Sequence, residues 1–120
     1  MDTKNKELLL KDLNARLPYG VKIELTWWDM GEGTYINTTL EPDHIEQLLN
    51  DEDGDIEIKP YLRPMSSMTD EEKEEYCQLQ QKVVNEDVTK YINYCYKKHL
   101  DINNLIPIGL AIDATNLNLY

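Results

Sequence analysis

The sequence predicts a single α+β domain spanning residues 1–120, with helices covering a small antiparallel sheet. Three observations carry that expectation. Near the N-terminus, Leu9, Leu10, Leu13 and Leu17 recur at helical spacing. From Val21 to Trp28 the pattern alternates instead: Val21, Ile23, Leu25 and Trp27 point one way, and Lys22, Glu24, Thr26 and Trp28 the other. At Thr69 a helix-start signature opens a long stretch of helical periodicity. A chain of 120 residues buries roughly two-thirds of its unfolded surface, which is enough for one core without staples.

The elements follow in order. The first helix covers 3–17, capped by Asp2 or Thr3 and ended by Pro18 and Gly20. The alternating strand turns at the glycine-rich Asp29–Gly33 segment, and Thr34–Leu40 returns as its antiparallel partner. Pro42 and Asp43 open a short helix over 42–50, with Ile45, Leu48 and Leu49 as its apolar positions. Asp51–Gly54 forms a turn, and Asp55–Lys59 a third strand with Ile56 and Ile58 on one face. Pro60 and Pro64 bracket an extended Tyr61-Leu62-Arg63 segment. Thr69 and Glu72 form a capping box, and the acids beside them suit the positive end of a helix. A long helical region follows, with a kink expected at Asn85–Asp87 and an end near His99. One more turn is expected at Ile102–Ile106, before an extended tail from Gly109 to Ala114. Pattern alone leaves open whether the three-stranded sheet curls into a partial barrel.

The net charge is −11, and residues 41–75 carry thirteen acids against three bases. Direct nucleic-acid binding is therefore not expected, since phosphates are met by clustered Lys and Arg. The acids gather around turns and a helix start, where they act as a long-range steering surface if they stay hydrated. The longest nearly apolar run, Leu105–Ile112, is far short of the roughly 18 residues of a membrane span. No apolar stretch with a cleavage site follows the N-terminus, so the expected compartment is the cytoplasm. Cys77 and Cys95 are 18 residues apart, about 27 Å along a straight helix, and are expected as packing residues or free thiols.

No motif assigns a reaction. Placing Gly54 at the sixth position of a calcium loop puts Leu49 and Pro60 where the end ligands belong, so Asp51–Asp55 reads as a solvated turn. Gly31-Glu32-Gly33 joins two strands and lacks the third glycine of a dinucleotide loop. Ser66 and Ser67 stand in no nucleophile elbow. His44 and His99 form no metal-spaced pair; His99 with Asp101 is the one arrangement that suggests an oriented imidazole. No catalytic residue, metal or cofactor is expected. Eight tyrosines, no phenylalanine and the adjacent Trp27 and Trp28 fit packing in the core or at its edge first, and a partner-binding surface second. Trp28, Tyr61, Arg63, Tyr94 and Tyr96 are the candidate residues.

Two strings carry a resemblance. Ile58-Lys59-Pro60-Tyr61-Leu62-Arg63-Pro64-Met65-Ser66-Ser67-Met68-Thr69 is one. The other is His99-Leu100-Asp101 through Leu105-Ile106 to Gly109-Leu110-Ala111-Ile112-Asp113-Ala114 and Tyr120. With Ala15–Lys22, they resemble an uncharacterised family of short proteins from gut anaerobic bacteria and their phages and mobile elements. The chain departs from that pattern at Leu100, Ile102 and Pro107. The resemblance implies a small accessory protein in a bacterial cytoplasm and assigns no activity. The leading expectation is a non-enzymatic module that binds another protein. The alternatives are an acidic mimic of nucleic acid, which would occupy the basic groove of a DNA- or RNA-binding protein, and an unrecognised enzyme using His99 and Asp101.

Overall fold

The leucine stripe, the alternating strand and the capping box each form the element they specify. A computed structural model describes residues 3–27, 33–51, 56–81, 89–117 and 119–120, for 33–37 and 89 without their side chains. The order is α1 (Thr3–Arg16), a 3-10 turn at Leu17–Tyr19, β1 (Lys22–Trp27), β2 (Gly33–Thr39), α2 (Pro42–Leu49), β3 (Ile56–Leu62), a second 3-10 turn at Met65–Ser67, α3 (Asp70–Gln81), α4 (Thr89–Lys97) and β4 (Ile112–Asp113). The α+β class is the one expected from the sequence. Gly20 closes the first 3-10 turn at φ +69°, a left-handed conformation that glycine adopts without strain. Among the described residues no helix is long and apolar enough to cross a membrane.

The sheet has the order β2-β1-β3-β4. β1 pairs antiparallel with β2 on one side and with β3 on the other. Residues directly opposite share a face, so Ile23, Leu25 and Trp27 line up with Pro60, Ile58 and Ile56. This apolar face packs with Leu9 and Leu13 of α1, Leu48 of α2, and Leu105, Leu110 and Ala111 of the tail. Leu9 and Leu13 are completely buried. Truncating either to Ala removes about 2–5 kcal/mol.

The tail makes the sheet mixed and adds a fourth strand. β4 lies parallel to β3, with Tyr61 opposite Ile112 and Leu62 opposite Asp113. β3 is longer than expected and runs through Pro60. A proline inside a central strand normally deletes a ladder bond. Here the ladder with β1 ends at Pro60 and the ladder with β4 begins at Tyr61, so the ring sits where pairing passes from one neighbour to the next.

Further boundaries differ. Residues 102–106 form turns rather than another turn of helix. They are organised by the buried Asp101, whose two carboxylate oxygens accept the Leu105 and Ile106 N–H groups at 2.8 and 2.9 Å. Asp51, expected as a hydrated acid, instead accepts the Ile56 N–H at 3.1 Å and fastens the start of β3. The expected kink at 85–87 and most of the acidic turn, 52–55, lie outside the described residues.

Candidate functional site

Two segments distant in sequence, one running on from β3 and one following α4, are spatial neighbours. Arg63 N–H donates to His99 C=O, and Asp101 N–H donates back to Arg63 C=O, both at 2.8 Å. The Arg63 guanidinium makes a two-pronged pair with Glu72, at 2.7 and 2.9 Å. It also donates to the Ser67 and Lys98 carbonyls. The Arg63 hydrogen bonds hold the Glu72 carboxyl down at about 2, well below the usual carboxylate range. Tyr120 closes the arrangement: its hydroxyl accepts the Lys22 N–H and donates to the Tyr61 carbonyl, each at 2.8 Å. It thus joins β1 to β3 where β3 has turned toward β4. The His99 ring stacks on Tyr120, with centroids 3.7 Å apart.

A second polar group lies inside the core. Asp12 and Arg16 are fully buried and paired at 2.7 Å. Arg16 also donates to the Leu100 carbonyl at 2.7 Å and stacks over the Tyr96 ring. Asn103 donates to the second oxygen of Asp12 at 2.8 Å. These contacts tie α1 to α4 and the tail.

The structure describes four of the candidate partner-binding residues. Tyr61 and Tyr96 are buried. Arg63 is held by Glu72, and Tyr94 is partly buried, its phenol pushed up to about 12, first by burial and then by the nearby Glu75 carboxylate. Trp28 lies outside the described residues. No hydrogen bond joins His99 to Asp101 among the described residues. Asp101 is committed to backbone amides, and burial pushes the His99 ring down to about 4, so it is neutral at physiological pH. Cys77 is an exposed free thiol and Cys95 a buried one. Among the described residues no three His, Cys, Asp or Glu side chains could hold a metal ion.

A different place has the dimensions of a binding site. Between α2 and the sheet lies a pocket of about 600 Å³, lined by Leu25, Trp27, Thr38, His44, Gln47 and Ile56. Its floor is apolar, and Thr38, His44 and Gln47 supply polar groups, the usual composition of a recognition pocket. The α2 N-terminus sets the state of His44. Its Nδ1 accepts the Glu41 N–H at 3.0 Å, which places the proton of the neutral ring on Nε2 as a donor.

Every described residue lining this pocket falls within 23–58, a span with eleven acids and no Lys or Arg. Glu41 at the N-cap and Asp43 and Glu46 of α2 are exposed, and no ion pair reaches them among the described residues. The cations that do approach come from outside the span. Lys6 donates to the Asp51 carbonyl and Lys22 to the Thr39 hydroxyl. None of the six pocket residues stood among the five candidate residues, although Trp27 belongs to the tryptophan pair that pointed toward a partner surface. The signal for them was present as the gap between Lys22 and Lys59, not as any motif. Comparison of the chain with protein families, with curated proteins and with solved structures finds no match.

Proposed function

We propose that the protein is a non-enzymatic interaction module that binds another protein on the α2 side of its sheet. On this reading it serves as a small accessory protein of a phage or mobile element in a bacterial cytoplasm. The observation that supports this best is the apolar-floored pocket whose described lining residues all come from an acidic span without Lys or Arg. An apolar anchor in a desolvated pocket supplies affinity, and a single-signed rim supplies steering and selects partners of opposite charge.

Gln47 is exposed and lines the pocket, so Gln47→Trp should fill it without disturbing the core. Affinity capture from the source cells should recover a stoichiometric protein with the wild-type chain. Recovery should fall at least tenfold with Gln47→Trp, at an unchanged melting temperature. The same proteins recovered equally by both chains would remove this site from the reading.

The nucleic-acid mimic is the second reading. It draws on α3, where Asp70, Glu71, Glu74 and Glu75 are all exposed. It requires the recovered partner to be displaced by DNA or RNA and retained by Gln47→Trp.

A further inference from the structure

We infer that the outer edge of β2 takes an extended, basic segment of the partner as an added strand, with one apolar side chain of that segment seated in the α2 pocket. This rests on the binding-module reading of the same face and specifies how the partner is held.

β2 is the outermost strand, and no other described strand pairs with its free side. It spans seven residues, Gly33–Thr39, without a charged residue or a proline. Edge strands are normally guarded by Lys, Pro, shortness, a bulge or a covering element, because unpaired N–H and C=O groups template further pairing. β2 has one of these devices, an extra residue between Tyr35 and Thr38 where its register with β1 shifts, so an added strand follows the regular stretches on either side of that bulge. Addition of a strand satisfies those groups, and pockets for alternate side chains provide selectivity. The pocket is placed for this role. Thr38 of β2 lines it together with Leu25 and Trp27 of the adjacent strand. A residue opposite Thr38 on an added strand projects to the same face, at a Cβ spacing of about 5 Å.

Charge selects the occupant. The span 23–58 has no Lys or Arg, and Asp43 and Glu46 of α2 adjoin the pocket residues His44 and Gln47 in the sequence. A segment carrying Lys or Arg beside its anchor fits. A second copy of this chain does not, because pairing two β2 edges brings two such spans together, each copy carrying a net charge of −11.

The test uses the full chain and three labelled synthetic peptides. The first is Lys-Thr-Lys-Val-Leu-Val-Lys-Thr-Lys, the second has every Lys replaced by Glu, and the third is the first peptide N-methylated at every residue, which blocks both of its edges. Binding is followed by fluorescence polarisation and amide hydrogen exchange. The Lys peptide should bind and newly protect amides within 33–39. The Glu and N-methylated peptides should each bind at least tenfold more weakly. The inference is overturned if the Lys peptide does not bind, if either control binds as well, or if protection falls elsewhere. A concentration-dependent dimer protected at 33–39 without peptide would also overturn it and assign the edge to a second copy. If strand addition fails while Gln47→Trp still loses the captured partner, the module reading stands and only its mode of holding is wrong.

Discussion

Asp12 and Arg16 show how much a single buried pair is worth. Each is completely buried, so each charge depends on the other and on Asn103 and the Leu100 carbonyl. Removing one partner strands the other: Asp12→Ala should cost about 3–5 kcal/mol in urea unfolding. Asp12→Leu combined with Arg16→Met should recover more than half of that loss, since neither charge then remains. His99 gives a pH signature of a different kind. Burial, and then the nearby Arg16 and Arg63 charges, lower its pKa to about 4 in the fold, against about 6.5 unfolded. The unfolded chain therefore binds the extra proton between these values. Stability from this group is complete above pH about 6.5 and is lost as pH falls toward 4. His99→Phe keeps the stack on Tyr120 and should flatten that part of the melting-temperature profile.

Among the elements, α3 depends most visibly on its first turn. Thr69 Oγ1 accepts the Glu72 N–H at 3.1 Å, and Glu72 accepts the Thr69 N–H at 2.9 Å, the reciprocal pair expected from the sequence. Thr69→Ala should cost about 1 kcal/mol; an unchanged midpoint in urea would show that α3 does not need its cap. Glu72 does more than cap, because the same carboxylate holds Arg63 and through it the His99–Asp101 crossing. Its lowered pKa means that this stabilisation is complete above the unfolded value of about 4.3 and is lost as pH falls through about 2. Glu72→Gln preserves the cap and removes the charge. The gap in melting temperature between wild type and Glu72→Gln should be widest above pH about 4.5 and should close toward pH 2.

For the whole molecule, charge is the dominant long-range term. The net charge is −11, and the described residues hold three ion pairs, one of them wholly internal. The exposed acids of α2 and α3 therefore repel one another over the surface. Raising salt from about 0.01 to 0.15 M shortens the screening length from about 30 to 8 Å and should raise the melting temperature modestly. A melting temperature that fell with salt would mean that attractive pairs outweigh repulsion. Partner association should respond in the opposite sense, slowing as salt rises, with dissociation less affected.

Local pattern determined most of the elements. A leucine stripe at helical period has one way to be buried, and so has an alternating strand, so α1, β1 and β2 were legible within a residue or two. The capping box was legible because its two hydrogen bonds join residues three apart. The remaining features depend on pairs distant in sequence. Nothing near Arg63 announces that it meets His99 and Asp101, and nothing near Tyr120 announces that its hydroxyl bridges Lys22 and Tyr61. The parallel β4 could not be read from two residues, because its pairing is supplied by β3. The pocket was hidden for the same reason: Leu25, Trp27, Thr38, His44, Gln47 and Ile56 occupy four different elements. The sequence by itself determined the class, the helices and the distribution of charge, because each follows from local periodicity or composition. Only the tertiary structure decided which residues line an apolar pocket and which described strand lies outermost in the sheet, because both depend on how the chain returns upon itself.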